Sequence, residues 1–171
     1  MGAEIVKIEP PRGDWVRFVA PKVGGMSAFF DALNSGKRGL RLDLKHPEGP
    51  GVLKRLARGA DALIEGFRPG VMDRLGVGWE TLAAENPALV YCAISGYGQD
   101  GPYARRAGHD LNYLAIAGVL SQAHPAEGPA APLPVQAADV AGGSLNAAIG
   151  VLAALYDAQR TGRGRFVDVS M

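Results

Sequence analysis

The sequence has little that would point to a secreted, membrane-bound or nucleic-acid-binding protein. Cys92 is the one cysteine in 171 residues. It cannot form an internal disulfide, and we expect it buried in a strand of a cytoplasmic protein. A net charge of +1 gives no electrostatic reason to expect binding to nucleic acid or to an anionic membrane surface. We see no apolar run long enough to cross a bilayer and no signal peptide, so we expect no membrane contact.

Several common binding motifs are also missing. No GxGxxG motif follows a predicted strand and no Walker loop is present, so the sequence gives no support for dinucleotide or nucleoside triphosphate binding. Cysteine and histidine residues are not clustered at the spacing of metal ligands. We therefore predict no metal and no tightly bound cofactor.

What the sequence does contain is an alternation of strand-like and helix-like segments. Short apolar or alternating runs predict strands at 2–9, 40–44, 62–65, 89–94 and 166–170, the first of them buried. Apolar residues from 52 to 57 have helical spacing and predict a helix there. A short helix is predicted from Pro69, and further helices at 81–85 and after 110. The segment 12–37 is predicted to be irregular, and 123–134 to be a loop. This order predicts an α/β fold with a parallel, Rossmann-like sheet and flanking helices.

A strongly amphipathic helix is predicted near the end of the chain. Its expected core-facing residues have helical spacing and are Leu145, Ala148, Ile149, Leu152, Leu155 and Tyr156. We expect Gly162 to end this helix, after the cationic residue Arg160.

Two strand ends and one short motif are candidates for a ligand site. Residues 66–68 and 95–98 follow predicted parallel strands, where ligands usually bind in such sheets. His109 follows Gly108 at a predicted helix start, and Asp139 precedes a glycine-rich helix start that offers backbone N–H groups. Imidazole and carboxylate can act as an acid–base pair near neutral pH. A turn and helix cap at His109, and a plain N-cap at Asp139, explain the same residues.

Six motifs together resemble CoA-transferase family III, the CaiB/BaiF family, whose members include α-methylacyl-CoA racemases. In family order they are GAEIVKIEP (2–10), LDLK (42–45), IEGFRPGVM (64–72), GYGQDGPY (96–103), GHDLNY (108–113) and TGRG (161–164). The GHDLNY motif is similar to the racemase branch, since transferases usually carry a non-basic residue after this glycine. The resemblance implies proton transfer by His109 and Asp139. In the transferases the matching aspartate is instead a nucleophile that forms an aspartyl-CoA thioester.

The resemblance implies an activity and two alternatives. The first is epimerisation at C2 of 2-methylacyl-CoA thioesters, with coenzyme A entering as part of the substrate. The second is CoA transfer between carboxylic acids, and the third is a catalytically silent CoA-binding fragment. The resemblance also implies a set of CoA-contacting residues: Leu42, Asp43, Leu44, Lys45, Gly66, Phe67, Arg68, Arg74, Gly108, Asp110, Leu111, Asn112 and Tyr113. Where racemases commonly have an arginine after the first strand, this chain has Pro10, Pro11 and Arg12, and two prolines at this place are also common among the transferases.

Compared with the family, the chain is expected to be incomplete. Residues 1–171 would form part of the large CoA-binding domain, without the first strand and helix and without the small C-terminal domain. The family pattern implies an interlocked homodimer for the complete protein. We expect residues 1–171 alone to be loosely packed or aggregation-prone and inactive, because apolar area on the first strand would be uncovered. His46 and His124 are expected to face solvent without a role.

Overall fold

The computed structural model describes residues 2–123, 128 and 132–171 and divides the chain into two compact units. The first unit is Met1–Val52 and the second is Leu53–Met171. His124 and most of the predicted loop 123–134 lie outside the described residues. The prediction that 1–171 is one incomplete domain stays a prediction.

The first unit pairs two parallel strands and contains a small hairpin. Strand β1 (Val6–Glu9) pairs with β4 (Arg38–Arg41), and β2 (Lys22–Val23) pairs antiparallel with β3 (Met26–Ser27). Helix α1 (Ala28–Asn34) follows the hairpin directly. The predicted buried strand at 2–9 is therefore shorter than expected. The burial predicted for this strand was wrong at Ile5 and Val6, which are 44% and 42% exposed, whereas these values agree with the expectation that apolar area on the strand is uncovered in residues 1–171.

The segment predicted to be irregular, 12–37, is largely structured. A 3-10 helix (Trp15–Phe18) begins where the Asp14 carboxylate accepts the N–H of Val16 at 3.0 Å. Helix α1 begins where the Ser27 hydroxyl accepts the N–H of Phe30 at 3.3 Å. Aspartate and serine are favoured N-cap residues because their oxygens satisfy N–H groups of the first turn. The prediction was wrong because it weighed the glycines and overlooked these caps.

Glu9 is a buried carboxylate held by an arginine. The guanidinium of Arg17 donates from Nε and Nη2 to the two carboxylate oxygens of Glu9, both at 2.7 Å. The guanidinium carbon also lies 3.8 Å from the centre of the Phe30 ring. Paired donation and stacking on an aromatic ring fix the arginine in one orientation. This ion pair joins the end of β1 to the 3-10 helix and α1.

Replacing Glu9 with glutamine is expected to destabilise the protein by about 1 to 2 kcal/mol, because the change weakens two charge-assisted hydrogen bonds in a part-buried ion pair whose arginine is 31% exposed. The hydrogen bond from Arg17 is the main reason that the pKa of Glu9 falls from 4.5 to about 2. The stabilisation is therefore complete above pH 4.5 and is lost as the pH falls toward 2. Thermal unfolding at several pH values measures it, with the exposed Asp31→Asn change in α1 as control. A Glu9→Gln deficit that stays constant down to pH 2 would contradict this role.

The second unit contains a fully parallel three-stranded sheet. Strands β5 (Ala62–Glu65), β6 (Val90–Ser95) and β7 (Phe166–Ser170) lie in the order β5-β6-β7. Helix α2 (Gly49–Ala57), within which the unit boundary falls, precedes β5, and α3 (Val71–Arg74) and α4 (Trp79–Glu85) connect β5 to β6. Together with the parallel β1–β4 pair, this confirms the predicted α/β class with parallel sheets and flanking helices.

The middle strand, β6, forms the centre of the core. Four of its residues, Val90 to Ala93, are at most 2% exposed. Cys92 is fully buried as predicted, and burial raises the pKa of its thiol to about 11. A thiol in that state is a packing residue and a poor nucleophile.

The described part of the connection from β6 to β7 contains several helices and carries the GHDLNY motif and Asp139. It comprises α5 (Asp110–Ile116), α6 (Val119–Gln122), a π-helix (Ala138–Leu145) and α7 (Asn146–Thr161). Gly162 ends α7 in the left-handed conformation, with a φ of 69°, as predicted.

Helix α7 packs with a different face from the one predicted. Its buried residues are Ala147, Val151, Ala154 and Ala158, which pack around Val90, Cys92 and Val169 of the sheet. Leu145, Ile149 and Tyr156, which were expected to face the core, are each more than 50% exposed. Small side chains bring the helix axis close to the sheet, and this close packing decides which face is buried.

The π-helix and α7 form one helical segment of 24 residues, Ala138–Thr161. Its most apolar window has a mean hydropathy of 1.5, so this segment is long and apolar enough to cross a bilayer. From the sequence we expected no apolar run long enough to cross a bilayer, and that expectation was wrong, because this helix is long enough and apolar enough. A helix packed in a protein core can have the same properties, and α7 does pack its alanine face on the sheet, but only 28% of the apolar window is buried. The expected lack of membrane contact stays a prediction.

Candidate active site

The loops after β5 and β6 leave the sheet at the same edge, because neighbouring parallel strands end together. In the first loop, the Glu65 carboxylate accepts the N–H of Phe67 at 2.6 Å and is approached by the Tyr91 hydroxyl at 3.4 Å. Burial raises the pKa of Glu65, although the hydrogen bond from Phe67 opposes the shift. Glu65 thereby sets the start of the loop that carries Gly66 and the exposed Arg68.

Tyr113 connects the second loop to helix α5. A Cβ on Gly108 would lie 2.5 Å from Cε1 of Tyr113, and a Cβ on Gly96 would lie 2.5 Å from its hydroxyl oxygen. The ring also packs edge-on against Tyr97, with 5.1 Å between the ring centres. Only glycine permits such close approach at both positions. The residue before His109 is therefore a glycine for a steric reason.

His109 is the N-cap residue of α5, as the helix-start prediction required. Its backbone N–H donates to Oδ1 of Asn112 at 3.0 Å, and its carbonyl accepts the N–H of Asn112 at 2.8 Å. The side chain is exposed. The backbone of His109 thus fulfils the cap role, and its exposed imidazole is accessible to a ligand.

Asp139 lies in the first turn of the π-helix and is not its N-cap, which is Ala137. Both the N-cap interpretation and the placement of Asp139 before the helix were therefore wrong. Its N–H donates to Oδ1 of Asp110 at 2.9 Å, and its carbonyl accepts the hydroxyl of Ser144 at 3.2 Å. π-Helices are rare and occur often at functional sites.

Packing against α5 and β7 holds the π-helix in place. Ala138 is buried in one cluster with Tyr113 and Leu114. A Cβ on Gly142 would lie 2.6 Å from the carbonyl oxygen of Met171, just after β7. The glycines that follow Asp139 therefore allow the π-helix to touch the end of the sheet.

Burial and two neighbouring side chains act on the Asp139 carboxyl. Burial raises the pKa of its carboxyl, the neighbouring Asp110 raises it further, and His109 lowers it. Burial and the charge of Asp139 raise the pKa of Tyr113, while Arg68 lowers it. These five predicted site residues share one electrostatic environment although they come from three separate stretches of the chain.

The other predicted site residues fall into two groups. In the first unit, Leu42 to Lys45 follow β4, and Oδ1 of Asp43 accepts the N–H of Lys45 at 2.9 Å. In the second unit, Leu111 and Asn112 are exposed on α5, and Arg74 is exposed at the end of α3. Their contact with coenzyme A stays a prediction.

Sequence reasoning overlooked the side chains that support the π-helix. Ser144 bonds the Asp139 carbonyl, and Nδ2 of Asn146 donates to the carbonyls of Ala141 and Gly142 at 3.2 and 3.0 Å. Serine and asparagine near a glycine pair are common in loops, so their spacing alone did not reveal this role. Within residues 2–123, 128 and 132–171, no group of three or more His, Cys, Asp or Glu side chains is placed to hold a metal ion.

A family model, related sequences and solved structures all match this chain. A model of CoA-transferase family III matches residues 1–171. Human α-methylacyl-CoA racemase is 45% identical over 171 residues, which is 99% of this chain and 41% of that protein. Acetyl-CoA:oxalate CoA-transferase of Acetobacter aceti is 40% identical over 173 residues, covering 100% of this chain and 44% of that protein.

Solved structures are also similar. A CAIB/BAIF family protein from Brucella suis superposes with a TM-score of 0.90 at 37% identity, covering 99% of this chain and 46% of that one. The chain thus spans less than half the length of the relatives that it matches.

Proposed function

We propose, from the premise that the chain belongs to CoA-transferase family III, that the protein is an α-methylacyl-CoA racemase-type enzyme. It would invert the C2 centre of 2-methylacyl-CoA thioesters. The observation that carries this proposal is the 2.9 Å hydrogen bond from the Asp139 N–H to Oδ1 of Asp110, the residue next to His109, which joins the two segments that carry the proposed acid–base groups. Two groups able to hold a proton are what inversion at a carbon acid requires.

Each residue has a defined task in this reaction. One group removes the C2 proton from one face of the substrate, and the other returns a proton to the opposite face. The roles of His109 and Asp139 exchange with the direction of the reaction. Because its pKa is raised, a larger fraction of Asp139 is protonated than of an ordinary aspartate. The shift brings the pKa of Asp139 closer to the value that suits a proton donor near neutral pH.

The enolate formed between the two steps needs hydrogen-bond donors at the thioester oxygen. The sequence interpretation assigned this task to N–H groups near Asp139. The N–H of Asp139 itself is occupied by Asp110, so it is not one of these donors.

Binding of the CoA part belongs to the same proposal. Arg68 is exposed beyond the end of β5 and lies within electrostatic range of Tyr113. A guanidinium group suits phosphate oxygens because it can donate two parallel hydrogen bonds. Arg74 is proposed as a further contact, and the CoA contact expected of residues 42–45 in the first unit stays a separate prediction. An interlocked homodimer and a cytoplasmic location remain expectations for the complete protein.

A family III CoA-transferase is the second candidate. The family includes proteins named as CoA-transferases that are 34–40% identical to this chain. The Asp139 carboxyl is only partly buried, which would allow it to act as the nucleophile that carries the acyl group and then CoA. In that case His109 would have no essential part in the chemistry.

Solvent deuterium separates the two candidates. The full-length protein is incubated in D₂O with an enantiopure 2-methylacyl-CoA and no acceptor acid, and mass and optical purity are followed. A racemase incorporates one deuterium at C2 as the enantiomer forms. Acyl exchange with an added carboxylic acid, without deuterium incorporation, would refute the racemase proposal and support the transferase.

A further inference from the structure

Asp110 is linked to the backbone of both candidate catalytic residues, to His109 by a peptide bond and to Asp139 by a hydrogen bond from its side chain. It follows His109 directly in the chain and is the first residue of α5. Its Oδ1 accepts the N–H of Asp139 at 2.9 Å, across 29 positions of sequence. A single carboxylate therefore links the segment that carries the imidazole to the segment that carries the second acid–base group.

The N–H of Asp139 needs such a partner. In the first turn of a helix, backbone N–H groups have no acceptor within the helix. Asp110 supplies the acceptor, and a charged acceptor makes the stronger hydrogen bond. On the other side, the Ser144 hydroxyl donates to the Asp139 carbonyl at 3.2 Å. Both polar backbone groups of Asp139 are therefore held by side chains.

We propose that Asp110 is a positioning residue whose carboxylate holds the backbone of Asp139 beside His109, and that this carboxylate does not contact coenzyme A. The inference rests on the proposed acid–base role of Asp139. It replaces the CoA contact that the family resemblance implied for the Asp110 side chain. A carboxylate already engaged with an N–H group, and facing a second carboxyl, is a poor partner for a polyanionic ligand.

The charge of Asp110 gives the positioning role a chemical consequence. Burial and Asp110 raise the pKa of Asp139, and His109 opposes them. Tyr113 faces Asp139 from the same helix. The other elements packed against the π-helix are β6, β7 and α7. Their titratable residues are Tyr91, Cys92, Tyr156, Asp157, Arg160 and Asp168. Asp110 is thus the neighbouring anion that keeps Asp139 protonated to higher pH.

Two substitutions separate the hydrogen bond from the charge. Asp110→Asn keeps an oxygen that can accept the N–H of Asp139 but removes the charge, whereas Asp110→Ala removes both. The matched control is Asp61→Asn, an exposed aspartate at the opposite, amino-terminal end of β5. All are made in the full-length protein. The measurements are kcat and KM for C2 exchange against pH, the Kd of free CoA, and a carbon-13 NMR titration of the Asp139 carboxyl.

For Asp110→Asn we expect the acid-side limb of the kcat profile and the Asp139 titration midpoint to move to lower pH together. For Asp110→Ala we expect kcat to fall about 10- to 100-fold, from loss of a charge-assisted hydrogen bond. In both Asp110 variants, KM and the Kd of CoA should stay within about twofold of wild type, well below the tenfold change that a lost binding contact produces. In the Asp61→Asn control, kcat, KM and the Kd of CoA should all stay within that range.

Three outcomes would overturn the proposal. A rise in KM and in the Kd of CoA with an unchanged pH profile would mean that Asp110 contacts CoA. An unchanged Asp139 titration midpoint in Asp110→Asn would remove the electrostatic link. Unfolding of Asp110→Asn would mean that the residue serves the fold as a whole. The proposed function fails if the wild-type protein exchanges no C2 proton. The NMR titration midpoint of Asp139 in Asp110→Asn would then still show whether Asp110 raises the pKa of Asp139.

Discussion

Under the racemase proposal, replacing His109 with alanine in the full-length protein is expected to lower C2 proton exchange about 100- to 10,000-fold, the usual contribution of one general acid–base group. The Kd of CoA should hardly change, because the imidazole is exposed at the start of α5 and its backbone cap on Asn112 does not need the side chain. The measurement is the initial rate of deuterium incorporation at saturating substrate, together with CoA binding by calorimetry.

Arg68→Ala serves as the contrasting control for His109→Ala. It removes a proposed phosphate contact, so we expect KM and the Kd of CoA to rise while kcat changes little. If His109→Ala retains full exchange, the proton-transfer assignment is wrong and the nucleophilic role of Asp139 gains support.

Replacing Asp139 with asparagine is expected to remove C2 exchange and CoA transfer alike, each by about 100-fold or more, because the amide can neither exchange a proton nor act as a nucleophile. The N–H of Asp139 that Asp110 accepts belongs to the backbone, so the variant keeps that hydrogen bond. Exchange and acyl transfer are measured on the same preparation, with Asp61→Asn as the carboxylate-to-amide control.

Asp139→Asn and His109→Ala decide the reaction together. A racemase loses activity in both variants, whereas a transferase loses it in Asp139→Asn alone. Undiminished exchange in Asp139→Asn would remove this residue from either mechanism.

The sheet was the part of the fold most accessible from sequence. The predicted strands at 62–65 and 166–170 match β5 and β7, and the run at 89–94 differs from β6 by one residue at each end. Short apolar runs between turn residues are distinctive because few other structures accommodate them. The segment 12–37 was less accessible, since its helices are short and depend on single caps at Asp14 and Ser27.

The buried face of α7 shows what hydrophobic periodicity misses. Large apolar residues were expected inside, but Ala147, Ala154 and Ala158 are the residues that pack on the sheet. Periodicity measures the polarity of each side chain, whereas the distance between helix and sheet is set by side-chain volume. Alanine is only weakly apolar, so it contributes little to the periodicity. Its small side chain nevertheless allows the helix to approach the sheet closely.

The motifs located the candidate site, but the contacts within it came only from the structure. His109 and Asp139 were both singled out from sequence, together with the strand ends around them. The bond from Asp139 to Asp110 joins residues 29 positions apart and depends on where the π-helix begins. The helix was expected to begin only after Asp139, whereas Asp139 lies within the first turn of the π-helix.

The π-helix also makes the site sensitive to changes in chain length. A π-turn contains about one residue more than an α-turn, and one residue corresponds to about 100° of rotation around a helix axis. Deleting any one residue of 140–144 would allow the segment to continue α7 as a regular α-helix. The sheet contacts of Ala147 and Val151 would remain, but Asp139 would rotate by about 100° around the helix axis relative to them. Amino-acid substitutions in this stretch change one contact each, whereas a single-residue deletion changes the direction in which the candidate acid points.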